Sequence, residues 1–525
     1  VKRIDRWILL SLFVVVFGAP FAYGFYQTVN LNYMHSDAMS RVANAFYVMF
    51  SRDPHLAAIG FVWNPLPSLA NMLFLTLYPV FPVMATHGVA GVLMSCTFTA
   101  LTAVYLYHAC HAQFKLNRGI SVAIALLFSF NPLTFYFGFT GLSDAPFNLF
   151  IMMTVVEFAI WMSFKRINAV IVGSFALALA FWTRYEAVPL GAAVAVGIVL
   201  VIAAEQVRRQ GTGVQREHLN KMEGTLILFL MPAVVSGLLW IWFNYIIMDN
   251  PFYFLNSEYS NQAQMATFDG GDKLFSDPLY ALGVVMEKSS YFGVLFYLLL
   301  LLRLFEGRLF RKDVLIMALT VFSIPALQYL LVLQESSFVW FRYFSYVFPI
   351  TVAWLPYEIS QARARTGYVI SCMGALLISA AVLGYALSQP QIAPDEYTTI
   401  TRGAHTEQQT RDRALAAYLD EHYPDATIMV DSYSAYLIIV SSEYPRKFFI
   451  TSDYEFKASI SAPWEYGVDY ILLPRPRETA PMSILNSVYP NFFANGSEFS
   501  ELVYDVDGEW RLYRIIDPSG KDEEQ

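Results

Sequence analysis

Apolar residues in this chain gather in blocks of about 20 separated by short polar breaks, the length a helix needs to cross a hydrocarbon core. About eleven blocks stand near 7–29, 86–112, 119–138, 145–164, 167–183, 186–204, 224–247, 279–302, 313–333, 344–358 and 367–388. The stretch 64–83 is also apolar, but four prolines interrupt it. It reads as a re-entrant or interfacial helix rather than a span. The pattern changes near residue 390. A Pro-containing linker, Gln389 to Asp395, leads to a helix expected over 406–422, with Thr406 and Gln409 spaced as a capping box. Short β-rich runs follow at 427–430, 436–440, 448–451 and 470–473. Asp507-Gly508, between Leu502-Val503-Tyr504 and Trp510-Arg511-Leu512-Tyr513, reads as a hairpin turn.

The expected architecture is an α-helical polytopic membrane module over 1–390, a first loop with interfacial helices over 30–85, and a small soluble α/β domain over 391–525. Composition agrees. Of 525 residues, 56% are hydrophobic and only 14% charged, against roughly 25% charged in soluble domains. The net charge of −8 carries no basic stripe, which argues against nucleic acid as a partner. Cys96, Cys110 and Cys372 all fall inside apolar blocks, so no disulfide framework can be read. Lys2 and Arg3 ahead of 7–29 resemble a signal peptide. The apolar run is too long for one, and a retained signal anchor is the expectation.

Positive charge orients the spans. One set of breaks holds Lys2, Arg3 and Arg6, Lys115 and Arg118, Lys165 and Arg166, Arg208 to Lys221, Arg303 to Lys312, and Arg363 and Arg365. The other holds only Arg41, Arg52, Arg184, Lys273, Lys288 and Arg342 in the membrane part. This places the N-terminus in the cytoplasm, and the first loop and C-terminal domain outside a plasma membrane.

The external breaks carry the polar residues worth weighing. They are His35, Asp37 and Arg41 after the first span, Trp63 in Trp63-Asn64-Pro65-Leu66-Pro67, Ser143-Asp144, Arg184 and Glu186, and Arg342. Charges at a bilayer edge are costly and are usually paired or functional. Plainer readings stand beside each. Asp37 and Arg41 fit an i,i+4 ion pair worth about 0.2–0.5 kcal/mol. Arg184 and Arg342 fit interfacial anchors, Glu186 a partner for Arg184, and His35 a polar loop residue. Asp431, Asp453 and Glu465 in the tail read as turn and surface residues. The chain has no P-loop, GxGxxG, HExxH or Cys/His zinc spacing, which disfavours an ATP-driven pump.

Four segments resemble the GT-C superfamily of polyprenyl-phosphate-dependent glycosyltransferases, which includes protein O-mannosyltransferases and the lipid A aminoarabinose transferase. His35-Ser36-Asp37-Ala38-Met39-Ser40-Arg41 resembles the acidic motif after the first span. Trp63-Asn64-Pro65-Leu66-Pro67 resembles a Trp-x-Pro-Leu-Pro element of bacterial relatives. Asn131-Pro132 with Leu142 to Phe147 resembles an Asn-Pro and Thr-Glu-Pro-Phe pairing, with Asp144 where Glu is common. Trp182 to Glu186 resembles a Thr-Arg-Tyr-Glu turn. The resemblance spans roughly residues 1–350. The chain lacks the Asp-Glu pair of the protein mannosyltransferases and the Trp-Trp-Asp motif of oligosaccharyltransferases.

The resemblance implies a cell-envelope enzyme that moves one sugar from a polyprenyl-phosphate donor to a glycan, lipid or protein acceptor at the bilayer. A lipid phosphate is a good leaving group and needs a cation to hold it; the acceptor hydroxyl needs a base. The expected roles are Asp37 as general base and Arg342 on the donor phosphate, with Arg184 as second candidate. Asp144 would orient the acceptor or hold a divalent cation (Mg, Mn or Ca) with Asp37. Substrate contacts would come from His35, Arg41, Glu186 and Trp63. A lipid-linked sugar transporter or flippase, and a glycan ligase using a lipid diphosphate, are the alternatives.

Overall fold

The computed structural model describes residues 3–208, 216–257, 259–260, 263, 265, 272–401, 405–476 and 483–518. The chain divides into two compact units. One comprises Val1–Gly24, Ser95–Phe252 and Gly270–Thr401; the other comprises Phe25–Met94, Tyr253–Asp269 and Arg402–Gln525.

The first unit is helical. Among the described residues, six helices or near-continuous helical runs of the whole chain are long and apolar enough to cross a membrane. They are Arg3–Asn30, Val89–Gln113, Asp144–Phe164, Ala187–Glu205, Arg216–Met248 and Arg365–Leu387. Three more expected spans are bent pairs: Arg118–Ser129 with Pro132–Thr140 at 64°, Pro278–Phe292 with Val294–Phe305 at 81°, and Lys312–Val321 with Ser323–Leu333 at 48°. The first bend has a local cause. Pro132 cannot continue the preceding helix, and the Asn131 side chain accepts the Leu133 N–H at 3.1 Å, which starts a new one. Two shorter helices, Ile167–Thr183 and Val347–Gln361, fall on the remaining expected spans.

A buried charge network fastens four of these segments. Arg303 donates from Nε to Glu358 Oε2 at 2.8 Å and from Nη2 to Asp313 Oδ2 at 3.1 Å. The Tyr357 and Tyr368 hydroxyls donate to Asp313 and Glu358 at 2.9 and 3.1 Å. Arg303 and Arg308 were two of the charges expected in an exposed loop, yet both are buried. Their charge is spent on Glu358, Asp313 and Glu306 inside the protein.

The second unit holds the helix Ser36–Phe50, the ten-residue helix Leu66–Leu75 and a five-stranded sheet. Ten helical residues reach about 15 Å, half a hydrocarbon core. The strands are β1 (Ile428–Val430), β2 (Phe448–Ile450), β3 (Tyr470–Pro474), β4 (Ser500–Val506) and β5 (Trp510–Ile515). Their order is β2-β1-β3-β5-β4, with β1 parallel to β2 and β3, and β5 antiparallel to β3 and β4. Met429, Phe449, Ile471, Leu473 and Tyr513 form its apolar face with Phe456, Leu485 and Phe492. Asp507 and Gly508 take φ of 53° and 66°, which is the backbone an Asp-Gly hairpin turn demands.

Some expectations fail in this unit. The run 436–440 is not a strand but part of the helix Ser432–Ser441. Asp431 caps that helix by accepting the Tyr433 N–H at 2.8 Å, and a β1–helix–β2 crossover needs a helix there. Asp431 and Asp453 are turn residues as expected, but they are buried rather than on the surface.

Candidate active site

Three of the motifs singled out from sequence meet in the first unit. Asp144 opens the helix Asp144–Phe164 and is fully buried. Its Oδ1 accepts the Tyr346 hydroxyl at 2.6 Å, and its Oδ2 accepts from Arg184 Nη1 at 3.4 Å. Arg184 leaves the end of Ile167–Thr183 in extended backbone. Its Nη2 donates to Glu186 Oε1 at 2.7 Å, and its Nη1 also reaches Ser143 Oγ at 3.3 Å. Two carboxylates therefore match the Arg184 charge in a nearly solvent-free place. The pairing of Glu186 with Arg184 follows the plainer sequence reading.

Arg342 lies in a single 3-10 turn, Phe341–Phe344, and is buried. Its guanidinium carbon stands 4.7 Å from the Trp340 ring centre and 5.8 Å from that of Tyr343. Arg184 stands 5.9 Å from the same Tyr343 ring and 5.7 Å from Tyr346. Aromatic rings in and beside one short turn thus pack against both arginines, whose side chains are largely buried in the protein.

Sequence reasoning missed the support of that turn. Glu396, fully buried, accepts the Arg342 backbone N–H at 3.0 Å, and Asp395 Oδ2 lies 3.9 Å from Arg342 Nε. Both acids open the helix Pro394–Thr401, inside the stretch read as linker and domain start. Pro at the first helical position followed by two acids is a helix-start signature, and that signal was available.

The first-loop candidates belong to the second unit. His35 is buried and caps the helix Ser36–Phe50: its Nδ1 accepts the Asp37 N–H at 3.1 Å. Asp37 is exposed in the first turn, where an acid suits the positive end of the helix. Arg41, one turn on, donates from Nη1 to the Asn64 carbonyl at 2.9 Å and lies 5.8 Å from the Trp63 ring. Arg41 therefore joins the two first-loop motifs, and Trp63 serves that contact. The helix Ser36–Phe50 packs against Ser432–Ser441 of the sheet domain. Asp37 and Asp144 belong to different units. Among the described residues no group of three or more His, Cys, Asp or Glu side chains gathers to hold a metal ion.

No family model matches the chain, and no curated protein matches it. Among solved structures, it is similar to ArnT from Cupriavidus metallidurans, crystallised with undecaprenyl phosphate. Identity is 12% and the TM-score 0.54, over 95% of this chain and 97% of that one. The chain shares the fold of that structure, and its long apolar helices are those of a polytopic membrane protein.

Proposed function

We propose that the protein is an integral membrane glycosyltransferase that moves a single sugar from a polyprenyl-phosphate donor to an acceptor hydroxyl, with inversion at the sugar. The observation that carries this reading is the buried gathering of Ser143-Asp144, Arg184-Glu186 and Arg342-Tyr343-Tyr346 within a GT-C fold. The lipid phosphate in the ArnT crystal supports the donor class. The charge pattern of the breaks supports a cytoplasmic N-terminus and transfer on the outer face.

Arg184 pairs with Asp144 and Glu186 and positions its neighbours, and the phosphate role is given to Arg342, whose guanidinium lies against Trp340 and Tyr343. Asp144 acts through Tyr346 and Arg184 rather than on the acceptor. Asp37 takes the acceptor proton as the hydroxyl oxygen attacks the anomeric carbon. The bond from that carbon to the phosphate oxygen breaks, and polyprenyl phosphate leaves with the electron pair, its charge held by Arg342. No proton donor is needed for a phosphate leaving group, unlike glycoside hydrolysis with its acid and base carboxyls.

The test offers radiolabelled polyprenyl-phosphate mannose, glucose and arabinose to the protein in nanodiscs with a membrane extract. Label reaching an acceptor from one donor supports the reading. Label crossing the bilayer without transfer would indicate a lipid-sugar transporter instead.

A further inference from the structure

The reacting hydroxyl needs a place to stand beside Asp37, and the second unit contains a candidate built around one buried carboxylate. Asp431 Oδ1 accepts the N–H of Tyr433, while Oδ2 accepts the N–H of Ile484 at 2.7 Å and faces the Tyr259 hydroxyl at 3.4 Å. Three segments far apart in sequence are thereby fixed to each other. Tyr259 and Tyr433 are brought ring to ring, with centroids 5.1 Å apart and planes at 33°. Tyr433 is 37% exposed although its neighbours Ala435 and Leu437 are buried.

The helix that carries Tyr433 packs on the helix that carries Asp37. The Asp37 charge reaches both Tyr433 and Tyr436: burial first, then that charge with Asp431, pushes the Tyr433 hydroxyl up to about 12. The exposed Tyr433 hydroxyl stays protonated at neutral pH and can donate to an oxygen-rich ligand. A tyrosine pair in ring contact offers an apolar face with a polar edge. The C–H face of a sugar ring matches such a surface, and its hydroxyls match the edge.

We propose that Tyr433, backed by Tyr259, is the platform of an acceptor subsite, and that the acceptor is a saccharide whose ring stacks there and presents a hydroxyl to Asp37. This rests on the transferase reading above and adds the acceptor class to it.

Two measurements on the full chain in nanodiscs test it. Binding of oligosaccharides released from cell-envelope polysaccharide, followed by saturation-transfer NMR without donor, should be seen in the wild type and lost in Tyr433→Ala. In transfer assays Tyr433→Ala should raise the acceptor KM roughly tenfold with donor affinity unchanged, while Tyr433→Phe, which keeps the ring and loses only the hydroxyl, should raise it less. Saccharide binding lost in Tyr433→Ala without transfer from any donor would uphold the platform and sink the transferase reading. Transfer confined to protein or lipid acceptors would do the reverse, as would an unchanged acceptor KM in Tyr433→Ala.

Discussion

Gln409 closes both backbone hydrogen bonds of Met34, 375 residues earlier: its Nε2 donates to the Met34 carbonyl at 2.6 Å, and its Oε1 accepts the Met34 N–H at 3.1 Å. Arg413, one turn along the same helix, donates to the Asn32 and Thr86 carbonyls at 2.9 and 3.3 Å. The helix His405–His422 thus fixes the irregular approach to the Ser36–Phe50 helix, and with it the placement of Asp37. Gln409 was expected to close a capping box with Thr406; its side chain is spent on Met34 instead.

Gln409→Ala should leave two buried main-chain groups without partners, at a cost of about 1–3 kcal/mol. Thermal denaturation in detergent should show the loss. Turnover should fall more than donor affinity, because the base is displaced and the phosphate site is not. Equal loss of both would mean general unfolding.

The two arginines should separate. Arg184→Ala strands the buried Asp144 carboxylate beside Tyr346, and removing one partner of a buried ion pair costs about 3–5 kcal/mol. Poor yield and a lowered melting temperature are expected. Arg342→Ala should fold and bind donor about 10- to 100-fold more weakly, the worth of a charge-assisted hydrogen bond. Equilibrium binding of a fluorescent polyprenyl phosphate distinguishes them.

The sheet domain should carry a pH-dependent weakness. Burial, aided by the Asp53 charge and opposed by the Ile450 N–H, Arg52 and His55, raises Asp453 to about 6. The unfolded carboxyl ionises near 3.8, so ionisation favours unfolding once pH exceeds that value. The penalty is absent below about pH 4 and complete above about pH 6, on the order of 3 kcal/mol. Asp453→Asn keeps the acceptor for Ile450 and should raise stability at pH 7 while flattening its pH dependence between 4 and 6. Melting curves across that range check it.

Much of this protein was legible before its fold was known, and the reasons differ by element. Spans were visible because twenty apolar residues in a row have few alternatives. Asp144, Arg184, Glu186 and Arg342 were visible because charge at a span end is costly and so stands out. Main-chain and long-range partners were not visible. Nothing in the sequence says that Glu396 reaches the Arg342 amide, or that Gln409 pairs with Met34. The run Tyr436 to Val440 is β-branched and apolar enough for a strand, and only the Asp431 cap and the parallel crossover made it a helix.

In the proposed reaction the exposed Asp37 takes the acceptor proton. Single-turnover transfer from the active donor, with donor affinity measured in parallel, tests it in the wild type and Asp37→Asn. Loss of a general base predicts a fall of about 10²–10⁴-fold in the transfer rate with unchanged donor binding and melting temperature. A variant that transfers at the wild-type rate would remove Asp37 from the reaction.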